Sequence, residues 1–216
     1  MAKKGIVGIE AAIVLIAFVI VAAALAFVVI NMGMYTTQKS KEVMQQGLNE
    51  ATTALEVDGS VLGYVIDTDA GTPVVPGIKY IYIPLKVSPG QLAVDFSSGK
   101  IDIVINLPDG AYSKINSGND PTTTSGPVDY ISNLQFNETI DTASAPVAKV
   151  YIIQGDGDNV LEPGEKFILV IGLPSDKALE VYDKFTVEIR PLQGAPLIVE
   201  RSVPPTLTVG ELVNLG

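Results

Sequence analysis

Hydrophobic positions are spread along this chain in two different ways. From Ala11 to Ile30 (AAIVLIAFVIVAAALAFVVI) twenty residues follow one another without a charge, a proline or a glycine. As a helix that run is about 30 Å long, the thickness of a bilayer's hydrocarbon core. Beyond it, in NMGMYTTQKSKEVMQQGLNEATTALEV, polar residues enter, and Met44, Leu48, Ala51 and Leu55 recur at spacings of four, three and four. That spacing draws one apolar stripe on a helix. The two stretches together predict a single helix from Gly5 to Leu55, about 75 Å long at the standard rise. Gly33 and Gly47 weaken it locally by about 1 kcal/mol each relative to alanine. Its first half is apolar on every side, so it must be covered by lipid or by other helices.

After Val57-Asp58-Gly59-Ser60 the period changes from helical to alternating. Candidate strands are Ser60–Asp67, Ile78–Val87, Leu92–Phe96, Lys100–Leu107, Val147–Gln154, Lys166–Leu173, Phe185–Arg190 and Leu197–Val203. Val128–Phe136 reads as a short edge strand, and Thr206–Leu215 as a segment that closes the sheet. In IDIVINL, Ile101, Ile103, Ile105 and Leu107 fall on one face and Asp102 and Asn106 on the other. Ser97-Ser98-Gly99 predicts a hairpin between its flanking strands. Pro108–Gly126, rich in turn residues, predicts a surface loop. Many short strands with frequent turns point to a β-sandwich or barrel-like domain.

Composition narrows the chemistry. The 216 residues include no cysteine, histidine or tryptophan. Disulfides and thiolate metal sites are therefore unavailable, and the commonest nucleophile-activating side chain is missing. Net charge is −10, and no basic face suited to nucleic acid is visible. Such a surface suits a soluble exterior, although it sets copies of the chain against one another. Carboxylate pairs for a hydrolase, Asp156 with Asp158 or Asp176 with Glu180, lie in no context that would separate their pKa values.

The head of the chain is unusual. Met1-Ala2-Lys3-Lys4-Gly5 is short and basic, and Glu10 stands at the mouth of the apolar run. A secretory signal has a shorter apolar region and a small-x-small cleavage site. A single-pass anchor explains the length but gives no reason for a carboxylate there. The lysines place the head inside the cell and the bulk of the chain outside. KKG-IVGIE followed by the apolar run resembles the class III signal of type IV pilins and archaeal flagellins (archaellins). The stretch from Gly5 through Ala54 resembles the crenarchaeal type of archaellin in particular.

That resemblance carries definite implications. A prepilin-type peptidase recognises Lys3, Lys4, Gly5, Ile6 and Gly8 and cuts after Gly5. Ile6 becomes the mature N-terminus, and removing the two lysines takes the side-chain charge to −12. The implied organisation is a removed signal (1–5), a long helix (6–56) and an outer domain (57–216). The implied fold class is α+β: the helix followed by an immunoglobulin-like antiparallel β-sandwich. Residues placed in the assembled core are Ile6, Glu10, Ala12, Leu15, Phe18, Leu25 and Phe27. Seven alanines in the apolar run allow close helix approach, while larger side chains fill the gaps. The resemblance pairs the Glu10 carboxylate with the free amine of Ile6 on a neighbour, since a charge among apolar groups must be paired. Otherwise Glu10 marks only the membrane interface before assembly.

Two further features bear on modification and ligands. Asn137-Glu138-Thr139 is the one N-glycosylation sequon. Gly155–Glu165 (GDGDNVLEPGE) spaces Asp156, Asp158, Glu162 and Glu165 along a glycine-containing turn, a loop a hard cation such as Ca²⁺ accepts as a structural ligand. It departs from the EF-hand pattern at its fifth and twelfth positions, and the alternative is a solvated hairpin closed by Pro163-Gly164. No cofactor is required.

The function implied is that of a structural subunit of the archaeal flagellum (archaellum). It inserts transiently in the cytoplasmic membrane and assembles with itself, and with any related archaellins, into an extracellular filament for swimming. Partners implied are the peptidase, an assembly ATPase and its membrane platform. The competitors are a non-rotating adhesive type IV pilin and a membrane-anchored ligand-binding protein. The low aromatic content, 6%, counts against the second.

Overall fold

A computed structural model describes residues 3–52, 55–68, 75–116, 121–123 and 145–216, with side chains of the N-terminal helix described from Gly8 to Leu48. The chain divides into two compact units, Met1–Leu48 and Asn49–Gly216. The first is a helix, α1, spanning Lys3–Thr52. Neither Gly33 nor Gly47 interrupts it. It stops three residues short of the predicted end. Leu55 belongs instead to a strand, β1 (Leu55–Val57), where its side chain is buried in the sandwich core. The helical stripe that included Leu55 was thus one residue too long, because pairing with the sheet satisfies that backbone better than another helical turn.

The second unit is built from twelve further strands among the described residues: β2 (Leu62–Asp67), β3 (Pro76–Val87), β4 (Val94–Asp95), β5 (Ile101–Leu107), β6 (Gly110–Tyr112), β7 (Thr122–Thr123), β8 (Val147–Gln154), β9 (Val160–Leu161), β10 (Lys166–Gly172), β11 (Lys184–Pro191), β12 (Leu197–Ser202) and β13 (Leu212–Asn214). The larger sheet has the order β13-β2-β3-β10-β8-β7, and β1 also pairs with β3. The smaller has the order β12-β11-β5-β6, and β4 pairs with β9 in a separate ribbon. Among the described residues pairing is antiparallel except for the short β7–β8 contact and an isolated parallel bridge from Asn116 to Ala148 of β8. Side chains from both sheets meet in one core that includes Ile81, Ile83 and Leu85 of β3, Phe167, Leu169 and Ile171 of β10, and Ile103, Ile105, Val187 and Ile189 of the smaller sheet. This is a two-layer sandwich.

The central strands are apolar on both faces. Tyr80 and Tyr82 of β3, Tyr151 of β8 and Val170 of β10 form a second buried cluster on the other side of the larger sheet. Burial there pushes the Tyr82 phenol well above its ordinary range. Close packing also explains Gly63 in β2. A β-carbon there would stand 2.9 Å from Ile78 and 3.2 Å from Leu215, closer than carbon atoms tolerate.

The predicted hairpin about Ser97-Ser98-Gly99 does not form. The turn itself exists, closed by Lys100 N donating to Ser97 O at 3.0 Å and tightened by Ser97 N donating to Asp95 Oδ1 at 2.9 Å. Its two arms part, however. Val94 and Asp95 pair with Leu161 and Val160, while β5 pairs with β11 and β6. Alternation in β5 makes the choice: Ile103 and Ile105 reach the core only when that strand sits within the smaller sheet. The polar loop predicted for 108–126 is also corrected at its start. Pro108-Asp109 reverses the chain into β6, and Ile115 is buried in the core. Asn116 Nδ2 donates to Ile101 O at 2.8 Å and fixes that return. The edge strand predicted at 128–136 lies outside the described residues.

One ion cluster stitches the larger sheet at the start of the sandwich. Lys86 of β3 and Lys166 of β10 both reach Asp58, at 3.2 and 2.6 Å. The lysines lie on adjacent strands and would repel one another without it. Hydrogen bonds from Lys166 and then Lys86 hold the Asp58 carboxyl below its ordinary 3.8.

Two outcomes follow from this packing. Phe167→Ala removes a fully buried ring that meets Phe96 edge-on at 5.4 Å, and should cost about 3–5 kcal/mol, read as a fall in the β-unit's melting transition. Asp58→Asn should cost about 1 kcal/mol at neutral pH. A carboxyl of depressed folded pKa stabilises above its unfolded pKa and ceases to do so as pH falls through the folded value. The difference in melting temperature between Asp58→Asn and the unaltered protein should therefore be present at pH 7 and vanish as the pH falls through the lowered folded-state pKa of Asp58.

Candidate assembly surface and acidic loop

Helix α1 carries the principal candidate surface. Every described side chain from Gly8 to Leu48 is exposed. Leu15 is 66% exposed, Phe18 73%, Leu25 62% and Phe27 68%. At about 100° per residue Leu15, Phe18 and Leu25 fall on one side of the axis and Phe27 on the opposite side. Ala12 is exposed among them, and Glu10 shares a face with Ala11, Val14, Leu15 and Phe18. Met44 and Leu48 of the predicted stripe are likewise exposed. The backbone is helical through Lys3, Lys4, Gly5 and Ile6, whose side chains lie outside the described ones. At Gly8 a β-carbon would meet nothing, so local packing does not demand glycine there.

Two polar residues past the apolar run, Thr36 and Thr37, are internally satisfied. Thr36 Oγ1 donates to Met32 O and Thr37 Oγ1 to Gly33 O, each at 2.8 Å. Threonine hydroxyls bonded to the carbonyl four residues back need no outside partner, so this turn can be buried among other helices at little cost. A turn later Lys39 and Glu42 pair at 2.7 Å on the exposed surface. Sequence reading missed the threonine arrangement, although Thr-Thr directly after an apolar run is its visible sign.

The acidic loop connects β8 to β10. The carboxylates of Asp156, Asp158 and Glu165 accept hydrogen bonds from the loop's own backbone. Asp158 N donates to Asp156 Oδ1 at 3.1 Å, and Val160 N to Asp158 Oδ1 at 2.8 Å. Glu165 spans the loop, taking Asp156 N on Oε1 at 3.0 Å and Glu162 N on Oε2 at 3.1 Å. Gly155 makes room for that carboxylate, since a β-carbon there would stand 2.9 Å from Glu165 Oε1. The residues expected to face a cation are brought near one another, yet among the described residues no three acidic side chains gather as a metal site. Glu165 acts here as a staple. Asn137 lies outside the described residues.

One unit is a helix with an exposed apolar surface and the other a β-sandwich, and comparison with known proteins gives that combination a family. The archaeal-type flagellin family model matches residues 5–201. This chain belongs to the archaeal-type flagellins. It is 51% identical to probable flagellin 1 of Aeropyrum pernix over 99% of its own length and 98% of that protein's. It is 33% identical to probable flagellin 2 of Archaeoglobus fulgidus, covering 95% and 92% of the two. Among solved structures, the archaeal flagellum of Methanospirillum hungatei superposes with a TM-score of 0.65 at 25% identity, over 96% of this chain and 98% of that one. The fold also matches a crystal structure of an archaeal flagellin from Methanocaldococcus jannaschii, TM-score 0.58 at 18% identity, over 76% of this chain and 96% of that one. The α+β architecture and the filament-subunit role expected from the head of the chain are those of this family of structural proteins.

For the loop of this flagellin, Glu165→Ala leaves two backbone N–H groups without their acceptor. It should destabilise the β-unit by about 2 kcal/mol, with hydrogen exchange at Asp156 and Glu162 quickened ahead of the core strands. Unchanged exchange at both amides would remove the staple assignment.

Proposed function

We propose that this flagellin is cut after Gly5 and leaves the membrane to form the core of a swimming filament through residues 6–52, with its sandwich on the outside. The observation that carries the reading is the exposed apolar surface around the whole circumference of α1. Covering a Leu, Ile, Val or Phe side chain is worth about 1.5–3 kcal/mol relative to water. Such a helix is therefore never stable uncovered. Lipid covers it as well as protein does, so transfer from membrane to filament depends on close packing, for which the alanines provide room, and on an energy-driven assembly machine. An assembly ATPase on a membrane platform supplies that work, and a prepilin-type peptidase makes the cut.

Glu10 is then the one ionisable group at the start of the apolar run of the mature subunit. Its partner is the amine exposed at Ile6 of a neighbour, which exists only after cleavage. Processing and assembly are thereby coupled, because an uncut chain leaves that carboxylate unpaired. Asn137 is the glycan acceptor on the outer domain. No cofactor is needed: the acidic loop, where a structural Ca²⁺ is the alternative, is supported by its own amides.

Electron microscopy of filaments shed from producing cells, with N-terminal sequencing of their subunits, tests the reading. Helical filaments whose subunits begin at Ile6 are the expected result. Subunits beginning at Met1, or protein recovered only as dispersed membrane monomer, would overturn it.

A further inference from the structure

The outer domain carries an exposed aromatic in a backbone conformation that does not suit it. Tyr182, between the 3₁₀ turn at Ser175–Lys177 and β11, has φ +69° and is 71% exposed. A left-handed conformation costs an L-residue about 1–2 kcal/mol, and glycine would adopt it freely. Local bonds hold the turn in place. Tyr182 N donates to Val203 O at 3.1 Å, and Glu180 N donates to Asp183 Oδ2 at 2.9 Å. The result is a rigid knob, Val181-Tyr182, with the exposed acid Glu180 beside it.

At the other end of the same strand lies a matching recess. Leu92, Asp95, Lys100 and Leu192 are among the residues that line a cleft of about 190 Å³, room for a single aromatic side chain. Leu92 and Leu192 at its rim are 48% and 70% exposed. Asp95 is tied to its own turn through Ser97 N and also feels the charge of Lys100, which is exposed and opposite in sign to Glu180. Knob and recess bracket the eight residues of β11, roughly 25 Å at the strand rise. They therefore cannot meet within one chain. Between copies, a knob at one end and a recess at the other give a heterologous contact that repeats without closing, the geometry of a filament.

We propose that Tyr182 of one subunit seats between Leu92 and Leu192 of the next, with Glu180 beside Lys100, as a head-to-tail contact between outer domains. The inference rests on the filament reading above. A seated tyrosine buries a large apolar area at low entropic cost, and the acid–lysine pair fixes its orientation. Strain in the turn is then the local cost of presenting the ring outward before assembly.

Because the chain has no cysteine, cross-linking is clean. Filaments of the full chain carrying both Glu180→Cys and Lys100→Cys, treated with a short bis-maleimide, should run on denaturing gels as a ladder of covalent multiples. Either single variant should remain monomeric. Intact filaments that yield only monomer would overturn the proposal and leave the filament reading standing; absence of filaments from the unaltered chain would overturn that reading instead. Tyr182→Gly provides a second, independent measurement. It relieves the backbone while removing the knob, so filaments should dissociate several degrees lower or fail to form, while the detergent-dispersed chain unfolds at an unchanged or higher temperature. Equal dissociation temperatures for the two filaments would overturn the proposal, as would a parallel fall in both measurements.

Discussion

A helix apolar around its whole circumference cannot be at rest in water, and that constraint shapes the rest of this protein. An amphipathic helix buries one stripe against its own domain and leaves the other face wet. From Ala11 to Ile30 α1 has no wet face to offer. Its cover must come from lipid or from other helices. The polar residues that interrupt the helix later respect the same constraint: the hydroxyls of Thr36 and Thr37 are closed back onto the helix's own carbonyls. Only beyond them does a charged pair, Lys39 with Glu42, announce solvent.

The sandwich answers the opposite demand. It covers its apolar side chains within a core of its own. Without cysteine it has no disulfide to rely on, and it draws its cohesion from central strands buried on both faces. Ile81, Ile83 and Leu85 point into the shared core while Tyr80 and Tyr82 fill the other side of the same strand. Charges are placed where they join strands, as with Asp58 between Lys86 and Lys166. Similarly, Asp109 accepts hydrogen bonds from Tyr112 and Lys177, tying the β5–β6 turn to the 3₁₀ turn. In each case a carboxylate bonded to ammonium or phenol groups is held below its ordinary pKa. An acidic chain thus uses part of its negative charge for internal bonding instead of displaying it all to the next subunit.

How much of this could be read from the sequence depends on whether the deciding force is local. The long helix and the alternation of β5 are both visible as periodicity. Strand pairing is not. Ser97-Ser98-Gly99 makes the turn it promises, yet its arms go to different partners because burial of Ile103 and Ile105 outweighs the local hairpin. Leu55 fits a helical stripe as well as a strand, and only its pairing with Val87 decides. The acidic loop shows the same limit at a candidate site. Residue types and spacing suggest oxygen ligands, whereas the direction of each carboxylate, set by backbone N–H groups in reach, decides what they bind. Tyr182 leaves no sequence signal, since nothing in E-V-Y-D-K marks a left-handed tyrosine.

The division into a self-sufficient sandwich and a dependent rod has a thermodynamic consequence. Stability of the β-unit is a property of one chain and is set by its own core. The stability of α1 as a covered element is a property of the assembly, and by mass action it varies with the concentration and packing of its neighbours. Substitutions in the two units are therefore expected to act on different equilibria. A cavity beside Phe167 changes unfolding of a subunit wherever that subunit resides. A larger side chain at Ala12 or Ala22 leaves a dispersed chain's sandwich untouched and alters how closely helices can approach. The packing that decides assembly can therefore vary along the helix without loosening the sandwich.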